Sequence, residues 1–130
     1  MKIDNYGIIL NVEHFDACVR FYKDVFGLPE MFSKTEGDFR LTCLEFGNAY
    51  LMIETEGVAI PTGKDVSRCP TKLRFNVPDI HQARASLHQH GIEAEVMDND
   101  WGSIITLYDP DGNRISIRDE AGFRAQADSQ

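Results

Sequence analysis

The chain has 130 residues and a formal net charge of −8, with 13 Lys and Arg against 21 Asp and Glu. A chain of this length buries roughly two thirds of its unfolded surface and needs no staple, and Cys18, Cys43 and Cys69, odd in number and without CxxC spacing, offer neither a disulfide framework nor a zinc site. The acidic balance argues against a nucleic-acid partner, while the lack of a basic segment leading into an apolar run, or of about 18 successive apolar residues, predicts a chain neither exported nor membrane-spanning, in a reducing cytoplasm.

In chain order, Tyr6 to Val12 alternates Ile8, Leu10 and Val12 against Gly7, Ile9 and Asn11, the period of a strand. A helix follows, capped by Asp16, with Val19, Phe21, Tyr22, Val25 and Phe26 near helical spacing and Gly27 as its stop. Phe39 to Phe46 and Ala49 to Ile53 read as strands hinged at Gly47-Asn48. Thr55 to Pro70 has two prolines, two glycines and no steady period, so it is expected to be a mobile linker. Leu73 to Val77 is again a strand, Asp79 stands at a helix N-cap, and Ile80, Ala83 and Leu87 keep helical spacing up to Gly91. Ile92 to Val96, Ser103 to Tyr108 and Ile115 to Arg118 supply further strands, and the polar tail after Asp119 is expected to fray.

The densest turn signal is Asp109-Pro110-Asp111-Gly112-Asn113, flanked by alternating Ile105 and Leu107 on one side and Ile115 and Ile117 on the other, which reads as a β-hairpin. A weaker copy lies earlier. Gly47-Asn48 matches Gly112-Asn113 at 112 − 47 = 65, and Asn11-Val12 matches Asn76-Val77 at 76 − 11 = 65. The chain thus reads as one α+β module written twice, β-α-β-β-β in each copy, at about residues 6–54 and 71–119, with the linker at 55–70 and the tail at 120–130.

This duplicated unit, with FYKDVFGL closing the first helix and DPDGN in the last hairpin, resembles the vicinal-oxygen-chelate superfamily of glyoxalase, bleomycin-resistance and extradiol-dioxygenase proteins. The resemblance spans about residues 6 to 119 and specifies fold far better than substrate. It implies a single domain whose two modules form an open, curled mixed sheet with helices outside and a cleft inside. It also implies a homodimer, with modules sometimes exchanged. Metal-dependent members draw His, Gln or Glu ligands from the first and last strands of each module. Carried over, these positions fall on Gly7, Leu51, Lys72 and Ser116. Shifting all four by one residue gives Ile8, Met52, Leu73 and Ile117, or Tyr6, Tyr50, Thr71 and Ile115, and neither set supplies the three or so ligands that a catalytic divalent ion takes. No metal and no cofactor is therefore expected.

Other chemistry is equally sparse. His88 and His90 lie about 200° apart around a helix, and His14 and His81 sit at helix starts, so all four read as structural or solvated. Glu54, three residues beyond Leu51, is expected to face away from it. No GxSxG elbow or phosphate cradle is present. The cleft does carry a charge signal. If Gly7, Leu51, Lys72 and Ser116 point inward, period two adds Ile9, Asn11, Ile53, Arg74, Asn76, Arg114 and Arg118, and the resemblance puts Trp101 either at the pocket edge, stacked on a ligand, or in the core. Arginine forks suit carboxylate or phosphate; equally, these cations could pair with Glu45, Glu54 or Asp119. The expected function is metal-free binding of a small anionic ligand by Lys72, Arg74, Ser116, Arg118, Asn11, Asn76, Leu51 and Trp101. The alternative is a metal-dependent lyase, isomerase or dioxygenase of the same superfamily.

Overall fold

A computed structural model describes residues 1–129. It contains β1 (Gly7–Asn11), α1 (Phe15–Arg20), β2 (Glu30–Glu36), β3 (Phe39–Phe46), β4 (Ala49–Glu54), β5 (Leu73–Val77), α2 (Ile80–Gln89), β6 (Met97–Asn99), β7 (Gly102–Tyr108), β8 (Arg114–Asp119) and α3 (Glu120–Asp128). The strands form two open four-stranded sheets of order β1-β4-β3-β2 and β5-β8-β7-β6. In each, the first and last strands of a module pair in parallel and the rest pair antiparallel. This is the duplicated β-α-β-β-β architecture that the repeat predicts. The chain divides into two compact units, Met1–Thr62 with Pro110–Gly112, and Gly63–Asp109 with Asn113–Gln130. Among the described residues no helix is long and apolar enough to cross a membrane.

In the first unit, α1 continues into a π-helical turn at Phe21–Val25 and stops at Gly27, whose φ of +67° is the left-handed stop. Val12, Phe15, Cys18, Tyr22, Leu44, Leu51 and Ile53 are buried between helix and sheet. The expected Asp16 cap is not the one used. Asp16 accepts instead from Arg40, whose guanidinium and own hydrogen bonds hold the Asp16 carboxyl below the usual carboxylate range. The helix start is satisfied by Asp111, fully buried, whose carboxylate accepts the backbone N–H groups of Glu13 (2.7 Å) and His14 (2.9 Å). His14 is the N-cap residue and makes no side-chain cap of its own. Segment 55–60 is irregular, as its composition predicts, yet it is laced down through Gly57 N to Val12 O, Ala59 N to Glu13 Oε1 and Ile60 N to Asp111 O.

In the second unit, Leu73, Ile105, Leu107, Ile115 and Ile117 share one sheet face and are buried with Ile80 and Leu87 of α2. Asp79 caps α2 as expected, accepting from His81 N and Gln82 N. The helix ends in a Schellman pair, Gly91 N to His88 O and Ile92 N to Leu87 O, with Gly91 at φ +76°. Asp109 and Asn113 close the hairpin tip, Asp109 accepting both the Asn113 backbone N–H and its side-chain amide. Two expectations fail here. The strand expected at Ile92–Val96 is instead β6 at Met97–Asn99, and the expected fraying tail is α3, capped by Asp119 through Gly122 N (2.9 Å).

Candidate ligand-binding site

The face of the second sheet away from α2 is set by register. Arg74 lies opposite Ser116, Asn76 opposite Arg118, and Tyr108 opposite Arg114, so these six side chains occupy one face while Leu73, Phe75, Ile115 and Ile117 occupy the other. Lys72, one residue before β5, keeps the phase of Arg74. Arg74 Nε donates to Ser116 Oγ, and Arg114 Nη1 donates to Cys69 O at 3.0 Å. Both acceptors are neutral. Burial, then the nearby charges of Arg114 and Arg74, push the Lys72 ammonium below its usual pKa; burial, then Arg118, does the same to Arg74. Cations crowded in this way around Lys72 and Arg74 mark a patch that an anionic group would stabilise.

Arg118 is on the expected face but is not presented to solvent. It is 3% exposed, its Nη2 donating to Trp101 O (2.6 Å) and Gln126 Oε1 (3.2 Å) and its Nε to Asp119 Oδ1 (3.4 Å). Trp101 is neither core nor free: it is 40% exposed, and the Arg118 guanidinium sits 4.6 Å from its ring centroid. Asn76 donates to Glu120 Oε1 at 2.9 Å. The structure therefore groups Lys72, Arg74 and Arg114 as one accessible cluster, with the buried Ser116 hydroxyl beneath Arg74, and places Arg118, Asn76 and Trp101 against α3.

In the first unit, Gly7 pairs with Tyr50, Ile9 with Met52 and Asn11 with Glu54. Leu51 and Ile53 thus lie on the α1 side, fully buried, and are core residues rather than cleft wall. Glu54 does face away from Leu51, but because Leu51 is on the buried side this puts Glu54 on the Gly7 face, not outside it. The reason is a one-residue slip: the first strands repeat at 76 − 11 = 65, but Glu54 and Arg118, the partners of Asn11 and Asn76, repeat at 118 − 54 = 64. One residue of slip moves a whole strand's side chains to the other face. Asn11 does lie on the expected face, its Nδ2 donating to Thr55 O at 3.0 Å. Sequence reading had no signal for the Tyr50 ring, which covers Gly7 so closely that a Cβ there would lie 2.2 Å from its Cε2.

These positions do not fit the metal that the fold family implies. Gly7 has no side chain and its outward space is filled by Tyr50; Met52, which the register puts in place of Leu51, is a thioether; Lys72 is a cation; and Ser116 is a neutral hydroxyl engaged by Arg74. Such a set supplies neither the carboxylates nor the imidazoles that hold a divalent ion. Among the described residues no three His, Cys, Asp or Glu side chains converge elsewhere.

The family profile described as Glyoxalase/Bleomycin resistance protein/Dioxygenase superfamily matches residues 2–117. The uncharacterized protein YraH of Bacillus subtilis (strain 168) is 29% identical over 119 residues, 85% of this chain and 93% of that protein. Solved structures similar in fold include TnmS3, an antibiotic binding protein from Streptomyces sp. CB03234, with TM-score 0.69, 20% identity and coverage of 92% of this chain and 98% of that one. They also include the fosfomycin resistance protein FosX from Listeria monocytogenes, complexed with Mn(II) and sulfate, with TM-score 0.71, 14% identity and coverage of 92% and 93%. At these identities the structural likeness establishes fold alone.

Proposed function

Because the chain belongs to the glyoxalase/bleomycin resistance protein/dioxygenase superfamily, we propose that it binds, without a metal, a small ligand whose acidic group rests on Lys72, Arg74 and Arg114 and whose apolar or aromatic body lies along Tyr108. The observation that carries this reading is the cation cluster on one sheet face, where Arg74 and Arg114 are held by neutral acceptors rather than carboxylates. Tyr108, half exposed on the same face, offers aromatic surface. TnmS3, an antibiotic binding protein on this fold, is a precedent for binding as the whole activity.

The test is calorimetric titration of phenyl phosphate in the presence of EDTA. Loss of one charge-assisted contact costs about 1.5 to 3 kcal/mol, so Lys72→Met and Arg74→Met should each weaken binding roughly ten- to a hundredfold. Parent-like affinity in both variants would overturn the reading.

The metal-dependent lyase, isomerase or dioxygenase reading draws on one observation, the Mn(II) held by FosX on the same fold. Elemental analysis of chain purified without chelator discriminates the two: a stoichiometric, removable transition metal would favour it. The same proposal places the chain in a reducing cytoplasm, in keeping with free Cys18, Cys43 and Cys69, and working as a homodimer.

A further inference from the structure

Arg118 carries a formal charge that its surroundings compensate poorly. Of the Asp119 oxygens, Oδ2 is committed to Gly122 N (2.9 Å), and Oδ1 accepts Ser103 N at 2.7 Å before it reaches Arg118 Nε at 3.4 Å. The other two acceptors on the guanidinium are neutral, the Trp101 carbonyl and the Gln126 amide. The turn is built around this pair: at Gly102, whose φ is +138°, a Cβ would lie 2.7 Å from Asp119 Oδ1 and 3.0 Å from Arg118 Nη2.

Arg118 is covered by Trp101 and by α3, and α3 is weakly anchored. None of its residues is buried. Beyond its Asp119 cap it is held by the Asn76 to Glu120 and Arg118 to Gln126 hydrogen bonds and by Phe123, whose ring centroid lies 5.8 Å from the Arg118 guanidinium. Nine residues make a helix too short to persist in water by itself. Two of the contacts that α3 makes with this face are through oxygen acceptors, Glu120 on Asn76 and Gln126 on Arg118. They are the same kind of group that an acidic ligand would bring.

We propose that α3 is a displaceable strap that competes with the ligand for Arg118 and Asn76. An anionic oxygen is a stronger partner for a guanidinium than the neutral Gln126 amide. Once α3 lifts, Arg118, whose charge already depresses protonation of Arg74, joins Lys72, Arg74 and Arg114 as a fourth cation on one face. Apparent affinity is then reduced by the fraction of chains with α3 docked. This inference rests on the binding reading above.

The experiment titrates phenyl phosphate in EDTA into the full chain and into three variants. Gln126→Glu gives Arg118 a charged partner within the strap and should weaken binding roughly three- to tenfold; Phe123→Ala with Gln126→Ala loosens the strap and should strengthen it by a similar factor. Neither change removes a core residue. The third variant, Lys72→Met with Arg74→Met, controls for the site itself. In the parent, saturation should also speed amide hydrogen exchange across 120–128 and alter the fluorescence of Trp101, the single tryptophan. If the strap variants bind like the parent while the third loses affinity, the strap is wrong and the binding face stands. If the parent does not bind, or the third variant binds like the parent, both readings fall.

Discussion

Asp111 shows how much one side chain of a turn motif can decide. Its neighbours Asp109 and Asn113 bond each other across the turn, whereas the fully buried Asp111 carboxylate receives the N–H groups of Glu13 and His14 at the start of a helix 97 residues away. Asp111→Ala should therefore cost roughly 2 kcal/mol or more, removing two backbone hydrogen bonds to a charged, buried carboxylate; chemical denaturation checks this. The turn was legible as a turn, because Pro, Gly, Asp and Asn announce one. That its central acid caps α1 was not, since nothing local to α1 records it. Lys72 was legible as a cation in phase with Arg74, Leu51 was misplaced by a one-residue slip, and the burial of Arg118 was hidden behind an unforeseen helix. Lys72 also sets a pH dependence. Burial and two neighbouring arginines favour its neutral form, so its pKa is lowered in the chain without ligand, and a bound anion should raise it again. Anion affinity should be present below the lowered value and decline as pH rises through it. Calorimetry in buffers of different ionisation enthalpy should register proton uptake on binding in that range.

Elements were legible where a face is buried and obscure where none is. Asp79 and Gly91 bracket α2 as the sequence predicts, and Asp79→Ala should cost about 1 kcal/mol, the loss of a cap accepting two N–H groups, read as a shift in the unfolding midpoint. In contrast β2, Glu30–Glu36, is exposed along its whole length. It has no inward stripe to announce it and exists only by pairing with β3. β6 is three residues at a sheet edge, and α3 buries none of its own side chains, so neither has a hydrophobic period to read. The irregular segment 55–60 is held by close backbone approach. A Cβ on Gly57 would lie 2.0 Å from the Asn11 carbonyl oxygen, a backbone atom that cannot swing aside. Gly57→Ala should cost about 1–3 kcal/mol. Gly7→Ala meets only the end of the Tyr50 side chain, which can rotate, and should cost less. Measuring both unfolding free energies checks the contrast.

Across the molecule, two modules of one fold carry opposite chemistry on matching strands. In the first sheet the row Ile9, Met52, Cys43 and Phe32 crosses all four strands and is apolar, with Ile9 and Phe32 well exposed. In the second, Arg74, Ser116 and Thr106 make the corresponding polar row. Exposed apolar surface of this kind supports the proposed homodimer, and light scattering at micromolar concentration should give twice the mass of the 14.7 kDa chain. A monomeric mass would remove that part of the proposal. The central claim is that the cationic face binds an acidic small molecule without a metal. Its most direct test is a backbone amide NMR titration of the isotope-labelled chain with phenyl phosphate in EDTA. The account predicts saturable shifts concentrated at residues 72–76 and 114–118, one site per chain. Shifts confined to other residues, or binding that appears only after a divalent metal is restored, would contradict it.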